Sequence, residues 1–208
     1  MARTDRAPRR RLDPDQRRAA ILDAAVEAFA ERGYPDVTMA AIGAAAGASE
    51  ALVYRYFGSK DALYLEIVRS AIDDLRVRQA AALATLADGV PVRDRVRAAT
   101  QVYLDHIAHH PVSWALPLRR PGSEPAAVAD LRRVTRAEYV DGLAGWLAPD
   151  GSRRREFALW GYFGFLDAGC LRWVDRGCPD DDRWSLIDAA LGALEGALGD
   201  WGPAPSAT

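Results

Sequence analysis

Apolar positions along the chain recur at intervals of three and four residues rather than in alternation, alanine and leucine are abundant, and β-branched residues are sparse. That period puts one apolar stripe on each α-helix and gives no support to strands, so the chain is predicted to be all-α. A proline inside a helix costs about 3 kcal/mol, and the proline-free spans therefore mark the helices. The first is predicted to start behind Asp13, a capping carboxylate, with Pro14 at the first helical position, and to end at Gly33. Ile21, Ala25, Ala28 and Phe29 share one of its faces. Two short segments follow, then a longer helix from residue 59 to about residue 87 with Leu63, Ile67, Ala71 and Leu75 on one side. Residues 91–110, 126–147, 152–177 and 181–199 read as four more helices, and 112–118 as a short extra one.

The most informative stretch is 37–63, VTMAAIGAAAGASEALVYRYFGSKDAL. Thr38 and Ser49 each begin a short helical segment as its cap, and Gly47 supplies the turn between them. Met39, Ile42 and Ala46 share a face in the first segment, and Val53 and Phe57 face inward in the second. Such a pair is a helix-turn-helix. Burying Val53 and Phe57 turns Glu50, Ala51, Tyr54 and Arg55 outward, and an exposed tyrosine beside an exposed arginine suits double-stranded DNA.

Composition sharpens this. The chain has 208 residues, half of them hydrophobic and 27% charged, enough for a folded core in one large domain or a small one joined to a larger. Net charge is −2, but residues 1–60 carry ten basic and eight acidic side chains against 17 and 21 in the remainder. Arg3, Arg6, Arg9, Arg10 and Arg11 make residues 1–12 a basic arm, expected to add electrostatic attraction to DNA by releasing counterions. Lys60 is the only lysine. Cys170 and Cys178 are too few for a disulfide framework or a zinc site, so free thiols are expected. His106 and His109 lie three apart on one helical face while His110 abuts Pro111, and no metal is expected. No apolar run approaches the ~20 residues of a membrane span, and no secretory signal follows the arginines, so a cytoplasmic protein that does not engage membranes is expected. No nucleophile elbow, phosphate loop or HExxH motif is present, and neither catalysis nor a cofactor is expected.

Over residues 14–70 the sequence resembles the tetracycline repressor (TetR) family of bacterial transcriptional regulators. Gly33, Thr38, Ile42, Ala46, Gly47, Ser49, Tyr54, Tyr56, Phe57, Ser59, Lys60 and Leu63 carry the resemblance. It implies a DNA-binding set of Thr38, Ser49, Glu50, Ala51, Tyr54, Arg55, Tyr56 and Lys60. Thr38, Tyr54 and Lys60 would hold phosphates, and Glu50, Ala51 and Arg55 would meet cytosine, thymine and guanine edges respectively. Tyr56 would touch base or backbone. Ala40, Ala41 and Leu52 depart from the family pattern, where polar side chains are common, so base readout would rest on fewer groups.

A helix-turn-helix does not need the rest of this chain to bind DNA, so sensing and dimerisation are expected there. The division expected is a flexible basic arm over 1–12, a helix-turn-helix domain over 13–58, a helical ligand-binding and dimerisation domain over 59–201, and a flexible tail over 202–208. In the family the last two long helices pair with their copies in a homodimer. Phe157, Trp160, Gly164, Ala168, Ala190, Leu191, Leu194 and Ala197 are the expected interface. Tyr103, His106, Trp114, Tyr139, Trp146, Phe163 and Asp167, with Tyr162, are expected to line a mostly apolar pocket for a small-molecule effector, uncharged or weakly cationic and partly aromatic. The function implied is a ligand-releasable repressor on a palindromic operator. The alternative is a helical small-molecule-binding or enzymatic protein that keeps the motif without a specific operator.

Overall fold

A computed structural model of the protein describes residues 13–199, which form nine α-helices and no β-strand. The predicted arm over 1–12 and tail over 202–208 lie outside the described residues. The order is α1 (Pro14–Arg32), α2 (Met39–Ala45), α3 (Glu50–Phe57), α4 (Lys60–Ala84), α5 (Val92–His109), α6 (Pro111–Arg119), α7 (Ala126–Trp146), α8 (Arg153–Asp175) and α9 (Arg183–Leu198). Every helix that the apolar spacing predicts is present, its ends moved by up to a few residues. A 3-10 turn over Asp180–Asp182 stands where the first turn of α9 is predicted.

Local chemistry fixes where the N-terminal helices begin. The Asp13 carboxylate accepts from the Gln16 amide at 2.8 Å, and the Gln16 side chain accepts from the Asp13 amide, closing a capping box. The hydroxyl oxygens of Thr38, Ser49 and Ser59 accept from the amides of Ala41, Leu52 and Ala62. Each such cap contributes about 1 kcal/mol to its helix.

Two apolar cores result. The N-terminal one joins Ile21, Ala25 and Phe29 of α1, Val37, Met39 and Ile42 around α2, Val53 and Phe57 of α3, and Leu63, Tyr64 and Val68 of α4. The second gathers α5 to α9 around Leu104, Ile107, Ala115, Leu143, Leu159, Leu166, Cys170 and Leu191. Helix α4 belongs to both halves: its first turns sit in the N-terminal core, and farther along Ile72, Leu75, Gln79 and Leu83 line an internal cavity. Helix α6 makes a second link. Gly33, at φ +75° behind α1, has a backbone conformation that strains residues with a side chain, and a Cβ there would lie 2.3 Å from Leu116 Cδ2, so α6 seats closely against the end of α1.

Between α2 and α3 the approach is also close. A Cβ on Gly43 would lie 3.0 Å from the Ala48 carbonyl oxygen and 3.3 Å from the Glu50 amide nitrogen, and neither backbone atom can swing aside. Gly43→Ala is therefore expected to destabilise the protein by up to about 2 kcal/mol, overpacking of about 1–3 kcal/mol being partly offset by the roughly 1 kcal/mol that alanine gains over glycine inside a helix. Urea denaturation checks this, and a raised midpoint would show that α2 and α3 can part without loss.

On α8 the candidate interface residues Phe157, Trp160, Gly164 and Ala168 all face outward, with Phe157 70% and Trp160 45% exposed. On α9 the expectation needs correcting. Ala190, Leu191 and Leu194 are at most 1% exposed and fill the core of this chain against α8, leaving nothing to present to a second copy. Ala197 is half-buried. The outward stripe of α9 is Ala189, Gly192, Ala193 and Gly196, headed by Trp184. Helical period identifies both faces of such a helix but not which one its own chain covers.

Candidate nucleic-acid interface and internal cavity

The helix-turn-helix presents its predicted face. Val53 and Phe57 are buried, a contribution of about 1.5–3 kcal/mol each, which fixes the rotation of α3 about its axis. Glu50, Ala51, Tyr54 and Arg55 consequently point to solvent, Tyr54 with 45% of its surface exposed. Tyr56 is half-buried, and the Arg55 guanidinium lies 5.8 Å from its ring centroid, so the tyrosine serves as a shelf for the arginine. Thr38 and Ser49 are exposed at the starts of α2 and α3. Their oxygens accept from the backbone, which leaves each hydroxyl proton available to an outside acceptor. Ala40 is exposed, while Ala41 and Leu52 are half-buried.

Lys60 opens α4 beside this face. Its ammonium lies 4.2 Å from the Tyr34 ring centroid, and the Tyr34 hydroxyl donates to Asp61. Burial lowers the Lys60 pKa from its ordinary value, with Asp61 and Asp36 opposing that shift. Burial and then the bond to Asp61 push Tyr34 up to about 12. Arg18 holds both Glu66 carboxylate oxygens at 2.7 and 2.8 Å and lies over Phe57, tying α1 to α3 and α4 behind the exposed surface. Side chains able to read bases thus stand on a braced scaffold, flanked by a hydroxyl and a cation.

The second feature is a partly open cavity of about 430 Å³ lined by α4, α5, α6, α7 and α8. Its volume lies in the usual range for small-molecule sites, and its wall is predominantly apolar. Tyr103, His106, Trp114, Tyr139, Trp146, Tyr162, Phe163 and Asp167 all line it, so the structure brings every candidate pocket residue to one space. Trp114 donates its indole N–H to the Tyr103 hydroxyl at 2.8 Å. Tyr139 donates to Gln79 at 2.9 Å, and Gln79 in turn donates to the Ala99 carbonyl at 3.0 Å. His106 is pushed down to about 4 by burial, then by His110 and Arg78, so its imidazole is neutral at physiological pH. Burial also raises Tyr103 well above the usual phenol range.

Other lining residues escape the sequence reading. Arg76, Arg132, Arg136 and Glu138 look like the charged faces of solvated helices; packing leaves Arg132 and Arg136 half-buried in the wall, while Arg76 and Glu138 border it and remain exposed. Thr100 and Thr135, both buried, had a readable signal at least in part: Thr100 continues the apolar series Val92, Val96, Leu104 and Ile107 of α5. The histidines do not converge on a point. His106 and His110 stand 5.5 Å apart as tilted rings, and among the described residues no group of three or more His, Cys, Asp or Glu side chains is placed to hold a metal ion. Both cysteines are free, and burial pushes Cys170 up to about 12, an unreactive thiol. No helix among the described residues is long and apolar enough to cross a membrane.

A braced, outward-facing recognition helix on a small core, continuous with a helical body, defines a helix-turn-helix transcriptional regulator. Residues 21–67 match the bacterial regulatory proteins of the tetR family. The HTH-type transcriptional regulator BetI of Agrobacterium fabrum is 41% identical over 180 residues, covering 86% of this chain and 74% of that protein. The HTH-type transcriptional activator FasR of Mycolicibacterium smegmatis is 35% identical over 128 residues, 61% of this chain but only 57% of FasR. In fold, a tetR-family transcriptional regulator from Streptomyces coelicolor superimposes with a TM-score of 0.75 over 90% of this chain and 82% of its own, at 23% identity. The chain belongs to the TetR family of transcriptional regulators.

Proposed function

We propose that this protein binds a palindromic DNA operator as a homodimer in the cytoplasm and that a small molecule in its cavity releases it. The observation that carries the reading is the outward face of α3, where Glu50, Ala51, Tyr54 and Arg55 stand exposed over buried Val53 and Phe57. Arg55 suits bidentate bonding to guanine, Glu50 accepts from a cytosine amine, and Ala51 packs on a thymine methyl. Thr38, Ser49, Tyr54 and Lys60 ring this face and hold phosphates, fixing register. Tyr56 orients Arg55 from beneath.

The second copy is seated on the outward stripes of α8 and α9, where Phe157 and Trp160 are too large and too exposed for an inert surface. The cavity wall includes α4, whose other end packs in the helix-turn-helix core, and α6, which abuts Gly33. An occupant that prefers another tilt of these helices weakens operator binding by its difference in affinity for the two states. Coupling of about 4 kcal/mol gives roughly 1000-fold release. Repression follows where the operator overlaps a promoter, although FasR is called an activator, so operator position sets the sign. No catalytic role is assigned.

Selection from random double-stranded DNA followed by footprinting tests this. Two inverted half-sites are expected, with centres separated by about one helical turn or a multiple of it. Recovery of no sequence by a folded dimer would overturn the reading in favour of a helical small-molecule-binding protein without an operator.

A further inference from the structure

The charged groups of the cavity wall are arranged in closed pairs. Arg136 donates to both carboxylate oxygens of Asp167 at 2.8 and 2.9 Å, each side chain about three-quarters buried. Arg132 bonds both oxygens of Glu124 at 3.1 Å, and that carboxylate is 5% exposed. Arg76 is paired with Glu138, both exposed to solvent. An ionised ligand that displaces a member of either of the first two pairs leaves its partner uncompensated in a poorly hydrated place, a penalty of roughly 100-fold in affinity.

The hydroxyls are not closed in the same way. Thr100 donates to the Val96 carbonyl at 2.8 Å, and Tyr162, 2.9 Å away, gives its proton to Thr100. The Tyr103 oxygen receives the Trp114 N–H, but among the described residues its own proton meets no acceptor. Thr135, also in the wall and 8% exposed, makes no side-chain hydrogen bond among the described residues, and its hydroxyl keeps some accessible surface. A hydroxyl in the wall whose proton is uncommitted is a donor open to an occupant of the cavity.

We infer that the cavity takes an uncharged, largely apolar molecule carrying a hydrogen-bond-accepting oxygen, of the ketone, ester or ether class, which receives the proton of Tyr103 or Thr135. This rests on the reading of the cavity as the effector site and narrows it, excluding the weakly cationic ligands that the sequence allowed. Both carboxylates of the wall, Asp167 and Glu138, are already paired with arginines.

The test is a matched set of probes on one ring system: 2-acetylnaphthalene, naphthalene, 2-naphthoate and trimethyl(2-naphthyl)ammonium. Binding is followed by calorimetry and by quenching of tryptophan fluorescence, since Trp114 and Trp146 line the cavity. The ketone is expected to bind roughly two- to tenfold more tightly than the hydrocarbon, the value of one net hydrogen bond, and on the order of 100-fold more tightly than either ion. In the double variant Tyr103→Phe, Thr135→Val the preference for ketone over hydrocarbon is expected to vanish while naphthalene still binds, which separates a lost contact from a lost fold. Equal or tighter binding of the anion or the cation overturns the ligand class and leaves the effector site standing. Binding of none of the four by a folded protein overturns the effector site as well.

Discussion

Replacing Arg55 with alanine lowers affinity for the selected operator by roughly 5- to 150-fold per half-site, the value of a bidentate contact to guanine. A twofold-symmetric dimer loses that contact twice. Stability is expected to hold, because Arg55 is exposed and its one recorded partner among the described residues is the Tyr56 ring at 5.8 Å. Substitutions of that kind normally stay within about 0.5 kcal/mol. The diagnostic feature is selectivity: the variant should lose its preference for guanine at one position per half-site and keep the others. Lys60→Ala provides the contrast, weakening binding to all sequences alike and reducing the salt slope by about one ion per site. Anisotropy titrations on operator and point-substituted operators at two salt concentrations resolve the two behaviours. If Arg55→Ala weakens every operator variant by the same factor, the arginine is a backbone contact and its base assignment is wrong.

A second large effect is expected on assembly. Phe157→Glu combined with Trp160→Glu should leave the proposed dimer monomeric at micromolar concentration, because each residue is counted twice across an isologous contact. At about 2 kcal/mol lost per symmetry copy, the dimer dissociation constant rises by about 1000-fold. Monomer stability should change little, since these side chains are 70% and 45% exposed in the single chain. Sedimentation equilibrium gives the association constant, and operator affinity should fall toward that of a single half-site. A variant that remains dimeric at the same concentrations places the interface elsewhere.

The N-terminal half was legible in the sequence because its determinants are local. Asp13, Thr38, Ser49 and Ser59 announce helix starts within four residues of the amides they cap, and Gly47 takes the positive φ that the turn requires. The apolar pair Val53 and Phe57, one turn apart, then fixes which side of α3 is exposed. Farther along the chain the information is nonlocal. Ala190, Leu191 and Leu194 have the small and apolar character expected of an interface between copies, yet α8 of the same chain takes them first. Aromatic residues in the middle helices were sound markers of the cavity, but Arg136 gave no hint of Asp167, which lies 31 residues away and on another helix. Thr135 reads from sequence as one polar residue among several in α7; its place in the cavity wall is a property of the packing.

Leu116 resting in the notch at Gly33 has a mechanical consequence. A joint closed to van der Waals contact has no backlash, and close-packed interiors pass displacement on rather than absorb it. Helix α6 carries Trp114 in the cavity wall two residues before Leu116, so the segment that lines the cavity and the segment that bears on the end of α1 belong to one helix. Travel of that helix by even a fraction of an ångström would pass to the end of α1, with no slack to take up first.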